Sequence, residues 1–275
     1  MDSLRCNRRP CPAFLLVAWL GLLLLLPRGI AADPKVPDVD EILRRFLARA
    51  REAAEVESRQ EICYLRKTRV EQLTEDGTVR ETRSKEYAIT NRAGVVRAWL
   101  VKVDDQEPSE RELNSDRKGD SEARKEVGRR RKGPDFLDEA LVRRFTYRFE
   151  AEEQVDGRRV FRLGYEPRTD AADSNASVDR LLSALHGQIW IDAEEFELVK
   201  VEARLRSALR LLGGLVGSLN RLEFAIQRRP IEPGHWANVL LTTHAEGRKL
   251  FSAFRARVQV DHDAFSIRPL SPATP

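Results

Sequence analysis

Apolar residues recur at helical spacing in three parts of the chain. In residues 39–56, Ile42, Phe46 and Ala50 are four residues apart and arginines fill the other face, which predicts an amphipathic helix. Shorter stretches with the same spacing predict helices over 135–144 and 178–186. Each of the three helices has an apolar stripe that must be buried against another element.

Most of the remaining chain alternates apolar and polar residues with a period of two. Near the C-terminus, for example, Val258 and Val260 alternate with Gln259 and Asp261. About nine or ten such segments, separated by turn signals such as Asp-Gly, predict antiparallel strands with one apolar and one charged face. We therefore expect an α+β fold: an incomplete antiparallel β-barrel, that is, a curved sheet, with helices covering its concave apolar face.

The first 32 residues have the layout of a secretory signal peptide. Three arginines among the first nine residues precede an apolar run over 13–26, and small residues follow at Ala31 and Ala32. The run is shorter than the roughly 20 residues that span a bilayer. We expect export to the periplasm with cleavage near Ala31-Ala32; the alternative is an uncleaved N-terminal anchor.

Charge and motifs exclude several classes of function. The chain has 275 residues and a formal charge of +4, but residues 33–275 hold 44 basic and 43 acidic residues, so that part is almost neutral. This argues against a nucleic-acid binder. The four histidines lack metal-ligand spacing, and neither HExxH, CxxC nor GxSxG occurs. We expect no enzyme, metal or cofactor. Cys63, the one cysteine after residue 32, is expected to be a small buried strand residue; the alternative is a reactive thiol or one that pairs between chains.

The organisation predicted after the signal peptide is one domain over 33–265 and a disordered tail over 266–275. Residues 104–133 interrupt the pattern, because they hold nine acidic and nine basic residues and almost no apolar ones. They predict a flexible charged insertion. Its basic end offers a surface for an envelope protein or an anionic membrane, formed by Arg129, Arg130, Arg131 and Lys132. The alternative is a solvated loop whose charges neutralise one another.

The apolar face of the sheet allows two interpretations. The helices either leave an apolar cleft for a hydrophobic ligand or complete a packed core without a cavity. Residues 207–219 are rich in leucine and contain three glycines, which weaken a helix. This segment is either a mobile flap at the mouth of a cleft or a buried loop at the sheet end.

Two consecutive strands carry a resemblance to a known family. Residues 187–192 read GQIWID and residues 196–202 read FELVKVE. With the signal peptide, the first helix and the meander after it, this order resembles the LolA-like periplasmic lipoprotein-carrier and lipid-binding proteins over most of residues 36–262. The resemblance implies an unclosed antiparallel β-barrel with a helical lid and an apolar cavity for acyl chains. The insertion 104–133 and the segment 207–219 depart from the family pattern.

The resulting hypothesis is an exported carrier or chaperone that binds acylated or lipidic cargo in an apolar cleft, as in outer-membrane lipoprotein sorting. The alternative is an envelope sensor or protein-binding module of the same fold without a ligand cavity. From the apolar faces of the predicted elements, the side chains expected to line the cleft are Phe46, Phe136, Leu137, Leu182, Trp190, Val199, Val201, Leu212, Leu215 and Phe224.

Overall fold

Four helical segments and eleven strands are found in a computed structural model that describes residues 37–117, 139–168, 177–211, 217–249 and 252–270. The helices are α1 (Val39–Glu57), α2 (Glu139–Val142) and α3 (Ser177–Ala184). Residues 110–117 are also helical. Helix α1 begins where predicted, because the side chain of Asp38 accepts a hydrogen bond from the backbone N–H of Asp40 and caps the first turn.

The strands follow one another as antiparallel neighbours along most of the chain. They are β1 (Gln60–Leu73), β2 (Val79–Arg92), β3 (Val95–Val103), β4 (Phe145–Val155), β5 (Arg158–Pro167), β6 (Leu185–Asp192), β7 (Leu198–Leu205), β8 (Leu209–Leu211), β9 (Gly217–Glu232), β10 (His235–Lys249) and β11 (Ser252–Pro269).

All eleven strands belong to one curved sheet that does not close. Its order is β3-β2-β1-β11-β10-β9-β7-β6-β5-β4, and β8 pairs with β9 beside this path. Strands β3 and β4 lie at the two ends of the order and do not pair with each other. The predicted fold class, an incomplete antiparallel β-barrel of the α+β type, is confirmed.

The main core lies between the helices and the half of the sheet formed by β4–β7. Helix α1 buries Ile42, Phe46 and Ala50 on one side. Leu163 and Ile191, which have no exposed surface, lie at the centre of the strand layer beneath it. The helices thus cover the concave apolar face, as the sequence predicted.

The predicted disordered tail over 266–275 is wrong for its first residues. Strand β11 continues to Pro269, with Ser266 opposite Cys63 and Ile267 opposite Ile62. The strand extends because β1, which begins at Gln60, provides a pairing partner for these residues. Residues 271–275 lie outside the described part of the chain.

The first half of the charged insertion is also more ordered than predicted. The backbones of Val103 and Gln106 exchange two hydrogen bonds of 3.0 Å. In the helical stretch 110–117, the carboxylate of Asp116 accepts hydrogen bonds from the Tyr87 hydroxyl (2.8 Å) and the Lys85 ammonium (3.2 Å). These two β2 residues explain the order, because they give the insertion a fixed point of attachment. Residues 118–138, which include Arg129, Arg130, Arg131 and Lys132, lie outside the described residues.

The two ends of the segment 207–219 form strands that pair with each other. Leu209 lies opposite Leu219 and Leu211 opposite Gly217, so β8 folds back antiparallel on the start of β9. Gly217 has φ +154°, and a Cβ atom there would lie 2.3 Å from the carbonyl oxygen of Arg248. Only glycine allows this close approach of β9 to β10. Residues 212–216 lie outside the described part, so the predicted flap stays a prediction.

Candidate functional site

An apolar cavity of about 50 Å³ lies between the three helices and the concave side of the strands beneath them. Helices α1, α2 and α3 form one wall, and β4–β7 with β9 form the other. The cavity is lined by Phe46, Leu141, Val142, Phe145, Tyr147, Tyr165, Leu182, Leu185, Ile189, Leu198, Val201 and Phe224.

Among the described residues that line the cavity none is charged, and the only polar side-chain groups are two phenols. The Tyr165 hydroxyl donates to the backbone oxygen of Glu202 at 3.1 Å, and its ring meets Phe145 edge to face with 5.1 Å between centroids. Burial raises the pKa of Tyr147 and of Tyr165 well above the ordinary value, so both phenols stay neutral. The cavity therefore offers dispersion and hydrophobic burial but no charge for a ligand to pair with.

Ion pairs at the surface connect the helices that form the rim. Arg51 of α1 pairs with Glu139 of α2, and Arg144, just after α2, pairs with Asp179 of α3. Arg51 is exposed and Arg144 is half-buried, and an exposed ion pair such as that of Arg51 contributes only about 0–1 kcal/mol. The pair between α1 and α2 therefore adds little to the packing that holds these helices on the sheet.

Four of the predicted lining residues come together at the cavity: Phe46, Leu182, Val201 and Phe224. They come from α1, α3, β7 and β9, so the fold joins residues that are up to 178 positions apart. Their role in binding stays a prediction. Four further predicted residues lie outside the described part of the chain: Phe136, Leu137, Leu212 and Leu215.

Two predicted lining residues, Trp190 and Val199, lie on the opposite face of the sheet. Both pack in a second apolar cluster with Val160 and Trp236. Trp190 faces this way because its neighbours in β6, Ile189 and Ile191, both face the concave core. Its indole N–H donates to Glu153, and the ammonium of Lys200 lies 4.6 Å from its ring centroid.

A β-bulge explains why Val199 does not share a face with Val201. Trp190 lies opposite Lys200 whereas Ile191 lies opposite Leu198, so Val199 is an extra residue without a partner in β6. A bulge shifts the alternation of side chains by one position. Leu198 and Val201 therefore both face the cavity. Val199 faces the second apolar cluster, on the convex side of the sheet, which we call the convex cluster.

The sequence reasoning missed eight of the lining residues. Three of these, Phe145, Tyr147 and Tyr165, alternate with charged or small neighbours in β4 and β5, and this alternation was a usable signal for an apolar face. The sequence did not say which end of each strand would meet the helices. The other missed residues are Leu141, Val142, Leu185, Ile189 and Leu198.

The ends of the GQIWID stretch have structural roles. At Gly187, a Cβ atom would lie 1.9 Å from the carbonyl oxygen of Glu202, so β6 and β7 approach too closely for any other residue. The buried carboxylate of Asp192 accepts backbone hydrogen bonds from Glu194 (3.0 Å) and Glu195 (2.7 Å), which closes the turn between these strands. Burial opposes the ionisation of Asp192, but the hydrogen bond from Arg158 (2.6 Å) and those from the backbone lower its pKa.

Two classes of site are not found in the described part of the chain. None of its helices is long and apolar enough to cross a membrane. Within the same ranges, no group of three or more histidine, cysteine, aspartate and glutamate side chains is placed to hold a metal ion.

Comparisons with known proteins find similarity in solved structures. No protein-family model matches the chain, and no curated protein matches it significantly. An outer membrane lipoprotein-sorting protein domain from Vibrio parahaemolyticus is 14% identical with a TM-score of 0.31, over 82% of this chain and 93% of that one. A LolA superfamily protein from Nitrosomonas europaea is 8% identical with a TM-score of 0.32, over 86% and 96%.

A chain of the MucA/MucB complex of Pseudomonas aeruginosa is also similar, at 10% identity and a TM-score of 0.25, over 84% of this chain and 100% of that one. LolA-superfamily proteins are thus among the structures that this chain is similar to, as the sequence resemblance predicted. These similarities say nothing about what this chain binds.

Proposed function

We propose that the protein is an exported carrier or chaperone that binds the hydrocarbon part of acylated or lipidic cargo between its helices and the concave face of its sheet. The observation that supports this function best is the cavity itself, whose twelve lining residues in the described part of the chain include no charged one. Binding of a hydrocarbon chain is favoured by about 0.8 kcal/mol for each methylene that leaves water. The described lining has no charged group that would have to be desolvated when the chain binds.

The volume of the cavity defines how binding has to work. About 50 Å³ gives room for only a few water-sized groups, so the end of an acyl chain would fit but a whole chain would not. A longer chain requires α2 and α3 to move outward. The exposed ion pair Arg51–Glu139 opposes this movement only weakly, which favours a wall that opens on the helical side.

Export to the periplasm is part of the proposal and rests on the sequence of residues 1–32. The basic start, the apolar run over 13–26 and the small residues before position 33 have the order that a signal peptidase recognises. Mass spectrometry of the protein recovered from the periplasm tests it. A mature chain that begins near Asp33 supports export with cleavage, and a full-length chain contradicts it.

The binding proposal is tested with a fluorescent fatty-acid probe in the absence of detergent. Leu182→Asp places a carboxylate in the lining. We expect at least a tenfold loss of probe affinity, because either the carboxylate is desolvated by the bound probe or it keeps its water and displaces the hydrocarbon chain of the probe. Val155→Asp is the matched control, since Val155 is also half-buried but packs with the convex cluster. Equal affinities in the two folded variants would refute binding in the cavity.

A second candidate is an envelope sensor or protein-binding module that holds no ligand, and the small volume of the cavity favours it. This function predicts that the wild-type protein does not bind the probe at all. Native mass spectrometry of protein purified without detergent distinguishes the two, because a carrier retains a lipid adduct and a pure protein-binding module does not.

A further inference from the structure

The two edge strands of the sheet differ in character. Edge strands carry unpaired backbone groups, and soluble proteins usually protect them with charged side chains. Strand β4 follows this rule: Arg148 pairs with Glu150, and Glu152 and Glu153 pair with arginines of β5. Among the described residues, strand β3 has one charged pair, Lys102 with Glu86, and no comparable row of them.

Strand β3 is instead the most apolar exposed element of the described chain. The exposed fractions are 61% for Val95, 56% for Val96, 50% for Trp99 and 37% for Val101. These are four of the seven large apolar residues that are exposed in the described ranges. A cluster of this kind on an edge strand indicates an interface.

The hairpin before β3 fixes which backbone groups point away from the sheet. Ala93 and Gly94 form a two-residue turn with positive φ at both positions, and Arg92 lies opposite Val95. Such a turn makes its flanking residues a hydrogen-bonded pair, and the pairs then alternate along the hairpin. The N–H and C=O groups of Val96, Ala98 and Leu100 therefore point outward.

At the C-terminal end of β3 the outward backbone groups already have hydrogen-bond partners. Val103 exchanges both of its outward hydrogen bonds with Gln106, and a bulge separates it from the regular part of β3. Val96, Ala98 and Leu100 thus have outward backbone groups that pair with no strand of the described residues, and they are symmetric about Ala98. An antiparallel strand of a second copy centred on Ala98 uses all three, whereas a register centred on Arg97 or Trp99 leaves one of them unpaired and a register centred on Val96 or Leu100 leaves two.

We propose that β3 pairs antiparallel with β3 of a second copy of this chain, with the two-fold axis between the two Ala98 residues. In this register Arg97 lies opposite Trp99 of the partner subunit, and Val96 lies opposite Leu100 of the partner subunit. The sequence of β3 is self-complementary here. Arg97, which forms no ion pair with another described residue, meets an aromatic face, and no two like charges lie opposite each other.

Sedimentation equilibrium of the full chain from low to high micromolar concentration tests the dimer. Trp99→Lys removes the aromatic partner of Arg97, and we expect the dimer dissociation constant to rise about tenfold or more. Phe254→Lys is the control, because Phe254 is another exposed aromatic residue (38%) and lies on β11. Ala98→Pro removes an outward N–H while leaving the pairing with β2 intact, so it is expected to abolish the dimer in a chain with unchanged circular dichroism.

A cysteine cross-link tests the register. With the three native cysteines replaced by serine, Ala98→Cys is expected to form an intermolecular disulfide, because hydrogen-bonded antiparallel partners are about 5.5 Å apart at Cα and disulfides bridge about 4.4–6.8 Å. Glu152→Cys on β4 is the control and should remain a thiol. A wild-type chain that is monomeric throughout, a dimer that survives Trp99→Lys, or an Ala98→Cys chain that does not cross-link would overturn the proposal. So would capture of vesicles or a foreign peptide by β3 in place of a second copy.

Discussion

Glu197 and Arg228 form a buried ion pair, with 3.0 Å between Oε2 and Nη1 and with 3% and 8% of their side chains exposed. The other carboxylate oxygen of Glu197 accepts a hydrogen bond of 2.8 Å from Nε of Arg49 in α1. Arg49 also donates to the backbone oxygen of Gly234, and Arg228 to that of Trp236. One carboxylate thus connects the long helix to β9 and to the turn between β9 and β10.

Removing the charge of Glu197 should destabilise the fold far more than removing an exposed charge on α1. Glu197→Gln leaves Arg228 buried without its counter-charge, and breaking a buried pair costs about 3–5 kcal/mol. Glu52→Gln is the control, since Glu52 lies 3.7 Å from Arg49 with 71% of its side chain exposed and should contribute less than about 0.5 kcal/mol. Urea unfolding measures both free energies, and similar losses in the two variants would contradict this role of Glu197.

Asp192→Asn should lower stability at neutral pH and have progressively less effect in acid. The pKa of Asp192 is below its ordinary value in the fold, so its carboxylate stabilises the protein above the unfolded pKa of about 3.9. That contribution is lost as the pH falls through the folded pKa. We expect the variant to lose about 2 kcal/mol of unfolding free energy at pH 7. Below about pH 4 the unfolding free energies of the variant and the wild type should converge. A difference that stays constant down to pH 2 would mean that the ionised carboxylate contributes nothing.

The fold followed from local periodicity because most of its strands alternate without interruption. The helix α1 and the alternating strands near the C-terminus came directly from the spacing of apolar residues. The exception was Val199, since the bulge there is a property of the pairing between β6 and β7 and leaves no mark in a single strand. The wrong placement of Trp190 was avoidable. Its two neighbours in β6 are isoleucines, and they already indicated that the residues on either side of Trp190 face the concave core.

The cavity was less predictable than the fold. Its lining depends on which strand ends lie under the helices, and that is a long-range arrangement. Whether a helix such as α3 leaves space above Val201 or fills it depends on packing to within a methyl group, which no pattern of residue types encodes. The sequence therefore left open the choice between a cleft and a packed core.

Val199 and Val201 provide a matched pair for separating stability from binding. Both are 5% exposed and lie on the same strand, but only Val201 lines the cavity. Alanine at either position should cost a similar 1–2 kcal/mol in unfolding free energy. Val201→Ala should also enlarge the cavity and raise the affinity for a fatty-acid probe about fourfold, the equivalent of one more buried methylene. If Val199→Ala changes the affinity as much, the probe does not bind where we propose.

Gly187→Ala should be among the most destabilising substitutions that add a single methyl group to this protein. The added Cβ atom would lie 1.9 Å from the backbone oxygen of Glu202, and neither β6 nor β7 can move freely because each is hydrogen-bonded on both sides. We expect a loss of about 3 kcal/mol, measured by urea unfolding. Gly77→Ala is the control: it has open space around it but φ +86°, so it should cost only about 1 kcal/mol from backbone strain. If both cost the same, the close approach of β6 to β7 does not require glycine at position 187.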